Sequence, residues 1–407
     1  MYEASSAAEG AASIGTRLFS AIQTMRHVAV NLRGPVRIGL SNHPPERDAI
    51  NSPVVMKETQ QLIQAGFALV GVNDVCFVNG LESDLSSFEL LISKRISEAL
   101  EHRYDHFAAH GAAERTAVLL NDFQADRLPP GTSRATIGRE AGVSLAAYAS
   151  ANRNLPPVVL ALPCGMPLDL CVDWFNVLSE HFYVLTWETR CLFGTCENFD
   201  RVRSDTAAQV EDLYAVMDHF RIEHAQVMGI CGGAVIALCA AFERSERIRA
   251  LSLWYGDYNL GRDDLRTMHQ MNFAWLMEAA AVDRQAAGDL QGMFADSSAL
   301  ATVPPAIAHA ALYPYVNDEL MFRYARLSDA LNKTDIRPFL GQVRTPTLVV
   351  AGDSDDTTHC GGSVFVAAAI PGAQLRIEPG GSHPAFFGMP AASVAQAIEF
   401  FETTARK

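Results

Sequence analysis

Ala225-Gln226-Val227-Met228-Gly229-Ile230-Cys231-Gly232-Gly233-Ala234 is the stretch whose reading decides the fold. Ala225 to Ile230 is an apolar run of strand length, and Gly232 to Phe242 reads as a helix of small residues. Cys231 stands on the turn between them, flanked by Gly229, Gly232 and Gly233. A nucleophile on so sharp a turn needs glycines around it, because only they let backbones approach that closely. The helix that follows aims its N-terminus at the sulfur. Its partial positive charge favours a thiolate, and the N–H of Gly232 points to where an oxyanion would develop.

Outward from this turn the pattern alternates. Val158 to Leu162 reads as a buried strand, Val172 to Glu180 as a helix and Phe182 to Trp187 as a strand. Asp205 to Phe220 reads as a helix with Ser204 as its cap. Ile248 to Trp254, Thr347 to Ala351 and Ala373 to Glu378 read as further strands. Strands alternating with helices predict a mostly parallel, doubly wound α/β sheet. Residues 259–340 carry helical signal without a clear strand and read as an inserted helical cap. The expected segmentation is a flexible N-terminus over 1–15, a mixed α/β extension over 16–133, a core over 134–258, the cap over 259–340 and the rest of the core over 341–407. Leu128-Pro129-Pro130-Gly131-Thr132-Ser133 is the linker signal. In the extension, Val54 to Ala65 has helical spacing, Gly66 to Asn79 reads as one or two strands with a turn near Asn73-Asp74, and Ser83 to Ala108 reads as a long amphipathic helix.

Composition sets the outer bounds. The chain has 407 residues, 49% hydrophobic and 19% charged, which is ample for a core. Its 46 acidic against 32 basic residues give a net charge of −14, which argues against non-specific nucleic-acid binding. No apolar run has the length of a membrane span, and Met1 to Gly15 lacks the features of a secretory signal, so a cytoplasmic location is expected. Eight cysteines with no CxxC pair predict reduced thiols rather than a disulfide framework or a structural zinc site. Cys239 reads as core packing, and Cys164 as packing before a second thiol.

The glycine-flanked elbow resembles that of the α/β-hydrolase fold, with Cys in place of Ser. That resemblance implies an acid and then a histidine after the last two strands. Thr347 to Ala351 is followed by Gly352-Asp353-Ser354-Asp355-Asp356, where spacing from the glycine selects Asp355, with Asp353 and Asp356 as alternatives. The last strand is followed by Pro379-Gly380-Gly381-Ser382-His383, which offers His383; His359 is a competitor lying close to the acid loop. The second oxyanion donor belongs in the loop after Leu162. Many hydrolases carry His-Gly-x-Pro there, and this chain has Cys164-Gly165-Met166-Pro167, which makes the N–H of Met166 the candidate and leaves the donor's identity open. Two weaker clusters complete the reading. His102, His106 and His110 share a helical face, which reads as solvated rather than metal-binding, so no metal is expected. Arg190, Arg201 and Arg203 form a loose basic group.

A Cys nucleophile yields an enzyme thioester. Loading from another thioester is close to thermoneutral, and the product reacts with thiols and amines far more readily than an oxygen ester does. The elbow therefore tilts the expectation from hydrolysis towards acyl transfer. Together with the long N-terminal extension, Gly229-Ile230-Cys231-Gly232-Gly233 and Gly381-Ser382-His383 resemble the aminoacyltransferases of syringomycin biosynthesis. That resemblance implies transfer of an aminoacyl group between phosphopantetheine thiols of carrier domains in nonribosomal peptide assembly, through Cys231 with His383 and Asp355, and with no bound cofactor. Polyhydroxyalkanoate synthases share the G-x-C-x-G-G elbow, but their acid loop runs Asp-His-x-Val-Pro, whereas this one runs Asp355-Asp356-Thr357-Thr358. The rival readings are a type II thioesterase or other Cys hydrolase, and a non-catalytic scaffold.

Overall fold

A computed structural model describes residues 2–40, 53–78, 85–100, 127–296 and 303–406. Two compact units emerge: residues 1–127 with 291–317, and residues 128–290 with 318–407.

In the first unit, helix α1 (Tyr2–Asn31) covers the stretch expected to be a flexible N-terminus. Five alanines between Ala4 and Ala12 favour that helix. Strands β1 (Val36–Gly39) and β2 (Val75–Val78) pair in parallel, joined through α2 (Pro53–Leu69). The strand expected from Gly66 therefore begins only at Val75, because Gly66 to Leu69 form the last turns of α2. Gly66 is where α2 meets α1: a Cβ there would lie 2.5 Å from Ile22. Helix α3 (Ser87–Leu100) lies within the helix expected over Ser83 to Ala108. Arg37 pairs in bidentate fashion with the buried Glu89 at 2.7 Å. His102, His106 and His110 lie outside the described residues.

The second unit holds an eight-stranded sheet in the order β10-β9-β8-β7-β5-β6-β4-β3. Its strands are β3 (Ser133–Gly138), β4 (Ser144–Ala149), β5 (Pro157–Ala161), β6 (Tyr183–Trp187), β7 (Ala225–Ile230), β8 (Ile248–Trp254), β9 (Thr347–Gly352) and β10 (Gln374–Glu378). The six from β5 onward run parallel, while β3 and β4 form an antiparallel hairpin whose β4 also pairs antiparallel with β6. Sequence reading passed over this hairpin, because its small and polar residues give little apolar signal. Strand order reverses at β5, which has β6 on one side and β7 on the other. A parallel sheet opens a crevice at the carboxyl ends of its strands at such a reversal.

Helices α4 (Val172–Ser179), α5 (Thr206–His219) and α6 (Gly232–Glu243) cover the sheet. Asp205, not the expected Ser204, caps α5 by accepting from the N–H of Ala208 at 2.8 Å. Between β8 and β9 lie α7 (Met268–Ala280), α8 (Arg284–Ala295) and α9 (Asp318–Asn332), with no strand among the described residues there. The expected cap over 259–340 is divided, since residues 291–317 group with the first unit. After β9 come α10 (Cys360–Ala369), α11 (His383–Phe387) and α12 (Ala391–Ala405). No helix among the described residues is long and apolar enough to cross a membrane.

The buried core of this unit is aromatic near the C-terminal edge of the sheet. Trp174 of α4 stacks on Phe386 of α11 at 4.8 Å, and its indole N–H donates to the Phe386 carbonyl at 3.2 Å. Trp254 and Tyr255 close on the same ring at 5.6 and 5.1 Å. This cluster fixes α11, and with it His383.

Arg190 is fully buried. Its guanidinium meets Asp212 at 2.6 Å through both Nε and Nη2, and Glu140 at 2.7 Å. Arg139 adds a bond to Asp212 at 2.9 Å. Removing one side of such a buried pair strands the other charge at a cost of about 3–5 kcal/mol. Asp212→Ala is accordingly expected to lower stability by about that amount, read by chemical denaturation, while the surface variant Asp218→Ala changes it by less than about 1 kcal/mol.

Candidate active site

The elbow at Cys231 takes the conformation that its glycines permit. Cys231 has φ 52° and ψ −122°, a left-handed backbone that costs a non-glycine residue about 1–3 kcal/mol. Main-chain bonds hold it there. Its N–H donates to the Trp254 carbonyl at 3.0 Å, and its carbonyl accepts from Ala234 at 3.0 Å and Asp257 at 3.3 Å. A Cβ on Gly233 would stand 2.3 Å from the Ala161 carbonyl oxygen, and one on Gly229 would stand 2.6 Å from the Ala234 Cα. These glycines let α6 press against the ends of β5 and β7.

The acid resolves to one residue. Asp355 is buried, whereas Asp353 and Asp356 are exposed. Asp355 Oδ2 meets His383 Nδ1 at 3.0 Å and accepts from the Thr358 hydroxyl at 2.7 Å. Oδ1 accepts the N–H groups of Thr357 and Thr358 at 2.8 and 3.2 Å. Burial works against the charge, but the bonds to His383, Thr358 and Thr357 outweigh it and hold the carboxyl below its usual range. Asp353 turns away to bond Gly380 N–H at 2.7 Å. His359 is not the partner, because its ring caps α10 by accepting from Gly361 N–H at 3.0 Å.

His383 is buried, with Nδ1 on Asp355. Its burial alone would depress the pKa. The nearby Cys231 sulfur, when ionised, and then Asp355 reverse this and push it up to about 10. An imidazolium beside the sulfur is the partner a thiolate requires. Tyr255 also shapes the residue: its ring meets His383 edge-on at 5.7 Å, and its hydroxyl donates to Glu378.

The expected oxyanion donors fare differently. Gly232 opens α6, where helix N–H groups have no intrahelical acceptor. The Met166 N–H, the other expected donor, closes a turn by donating to the Pro163 carbonyl at 3.1 Å. The Cys164 nitrogen lies 3.6 Å from the point that a Cβ on Gly232 would occupy. No side-chain signal marks a backbone donor, so sequence could not choose between them.

The remaining cysteines near the site are packing residues. The Cys164 thiol is buried between Gln209 and Ser328 at 3.8 and 3.9 Å, and burial pushes it up to about 12. Cys239 is likewise buried and pushed up to about 12. Of the expected basic group, Arg190 is internal, and Arg203 is paired with Asp205 at 3.0 Å and Glu211 at 2.9 Å.

A strand-elbow-helix nucleophile, an acid after the next-to-last strand and a histidine after the last one now stand together on a mostly parallel sheet. This is the α/β-hydrolase fold. A family model for the alpha/beta hydrolase fold matches residues 190–390. The chain is 22% identical to 3-oxoadipate enol-lactonase 1 of Acinetobacter baylyi over 254 residues, covering 58% of this chain and 85% of that one. Among solved structures it resembles an enol-lactonase from Burkholderia xenovorans (TM-score 0.53, 19% identity, 66% of this chain and all of that one). It also resembles a hydrolase from Pseudomonas aeruginosa (TM-score 0.51, 22% identity, 66% of this chain and 98% of that one).

Two outcomes test the site. In a histidine NMR titration, His383 is expected to stay charged until about pH 10 in the wild type and to titrate at lower pH in Cys231→Ala. Because its folded value is raised, the stability it contributes is present below about pH 6.5 and is lost as pH rises through about 10. Gly233→Ala is expected to cost several kcal/mol or prevent folding, read by thermal unfolding, since two backbone carbonyls bar the new methyl.

Proposed function

We propose that this protein is an acyl-transfer enzyme that carries its acyl group as a thioester on Cys231 and delivers it to an acceptor thiol. The observation that carries this reading is a cysteine, not a serine, at the elbow, with a buried His383 bonded to Asp355 whose pKa is pushed up to about 10. A thiolate needs no base to attack. Its sulfur adds to the donor carbonyl, and the oxyanion rests on the N–H groups of Gly232 and Cys164. Collapse expels the donor thiolate, which takes its proton from His383. The now neutral His383 removes the proton of the acceptor thiol, which attacks the Cys231 thioester. Cys231 leaves as thiolate, and His383 is charged again beside it. Asp355 holds the ring in the tautomer both steps use.

The finer reading is that donor and acceptor are phosphopantetheine thiols of carrier domains and that the group is aminoacyl. Its support is the resemblance of the elbow and histidine loop to the syringomycin aminoacyltransferases. Against an electrostatic carrier dock stands the pairing of Arg190 and Arg203 with acidic residues.

A second reading has water as acceptor, which would make the protein a Cys-dependent hydrolase. It is favoured by the likeness to a protein named 3-oxoadipate enol-lactonase.

Intact-protein mass spectrometry after mixing the full chain with acyl- and aminoacyl-thioesters of a carrier, plus an empty phosphopantetheinylated acceptor, separates the two. An increment on the enzyme that moves to the acceptor is expected, with none in Cys231→Ala. His383→Ala is expected to slow loading by about 10²–10⁴-fold. Release as free acid with the acceptor untouched would establish hydrolysis.

A further inference from the structure

Helix α7 carries a side chain that links the nucleophile's loop to the acid's, and the transfer mechanism gives it no role. The helix opens on a capping box. The Thr267 hydroxyl accepts the N–H of Gln270 at 3.0 Å, and the Gln270 amide oxygen accepts the N–H of Thr267 at 3.0 Å. In an ordinary box the side chain's reach ends there. Here Gln270 is buried, and the same oxygen also accepts the N–H of His359 at 2.9 Å. An amide oxygen has two lone pairs, so these donors fill it. The NH₂ group must then face the other way, and it donates to Asp257 Oδ1 at 2.7 Å.

Both ends of this amide lead to the triad. Asp257 donates its own N–H to the Cys231 carbonyl at 3.3 Å, one of the main-chain bonds that keep the nucleophile in its left-handed conformation. Such a conformation persists only where its surroundings over-determine it. At the other end, His359 closes the turn that begins at Asp355. Within that turn the N–H groups of Thr357 and Thr358 and the Thr358 hydroxyl satisfy the carboxylate. Thr267 holds the same turn a second time, since its hydroxyl donates to the Thr357 carbonyl at 3.0 Å. One buried amide thus joins the elbow, through Asp257, to the backbone of the acid turn.

We infer that Gln270 is a positioning residue for the triad: it holds the elbow and the acid turn in register from α7, so that the seating of α7 and the reactivity of Cys231 are coupled. It acts through Asp257 and His359 rather than on the reacting atoms. The inference rests on the triad reading of Cys231, His383 and Asp355, whatever acceptor takes the acyl group. A capping box that served stability alone would leave the saturating rate intact in any variant that stays folded.

The experiment measures two rates on the full chain, at a temperature where every variant is folded. One is acyl loading from acetyl- and alanyl-pantetheine against thioester concentration; the other is alkylation of Cys231 by iodoacetamide, located by peptide mapping. Gln270→Glu keeps an acceptor oxygen but replaces the donor with a carboxylate facing Asp257. It is expected to lower the saturating loading rate by about 10–100-fold, to change the half-saturating concentration by less than about threefold, and to slow alkylation by about tenfold or more. Adding Asp257→Asn supplies an NH₂ donor from the opposite side and remakes the bond with its polarity reversed. The double variant is expected to return to within about threefold of wild type in both rates. A saturating rate for Gln270→Glu within about threefold of wild type, or a loss that Asp257→Asn does not restore, would overturn the positioning role. Wild type that is alkylated but loads from neither thioester would overturn the thioester reading, and the alkylation rates would then decide the positioning role by themselves. Should Gln270→Glu fail to fold, Asp257→Leu is expected to load about tenfold more slowly than Asp257→Asn, whose amide oxygen still accepts from Gln270, and equal rates would count against the role.

Discussion

Everything at the site hangs on one backbone torsion. A residue with a side chain occupies the left-handed region at the junction of β7 and α6, and three main-chain hydrogen bonds hold it there. That strain projects the Cys231 sulfur out of the sheet while the helix behind it stays pressed against β5 and β7. The glycines on either side are consequences of the same constraint. So is the order of events along the chain: acid and base must arrive from β9 and β10, whose carboxyl ends open on the same side.

Charge in the second unit is handled in two distinct ways. Around Arg190, charge is paired on every side: buried Asp212 and exposed Glu140 accept from it, and Arg139 braces Asp212 from another direction. Nothing is left over to react. Around His383 the balance is arranged so that one proton remains movable. Asp355 is satisfied by four donors, which hold its carboxyl below the usual range, and the bond to Asp355 helps push His383 up. In the proposed mechanism, loading the sulfur would remove a charge that raises the histidine, letting the same ring act as acid before acylation and as base after it.

Most of the core, and the placing of Cys231 on its turn and of Asp355 against His383, were legible because they follow from short-range rules. A strand-length apolar run before Gly-x-Cys-Gly-Gly admits few structures, and the positions of Asp355 and His383 follow once the last two strands are found. What could not be read has three physical sources. Backbone donors carry no residue signature, which is why the second oxyanion donor stayed open. The β3–β4 hairpin hides because Ala146, Ala147 and Ala149 supply pairing without a strong apolar pattern. Burial is a tertiary property: three aspartates in four residues look alike until one is found inside. Thr358 could have been anticipated, since an Asp followed three residues on by Thr readily forms a local side-chain turn. The strand assigned from Gly66 failed because an apolar run long enough for a strand also serves as one face of a helix.

The loops bearing acid and base are laced directly together. A Cβ on Gly352 would lie 2.1 Å from the Gly381 carbonyl oxygen, and that oxygen also accepts from Ser354 N–H at 3.1 Å. Gly380 N–H reaches back to Asp353, and Asp353 N–H to the Glu378 carbonyl. Two segments in van der Waals contact along their main chains cannot slide past one another. They behave mechanically as a single plate, with Tyr255 and Ser393 bolted to Glu378 beneath it. The Asp355–His383 distance is therefore insulated from breathing motions elsewhere. Room for an incoming substrate has to come from displacement of other segments, not from a parting of these two loops.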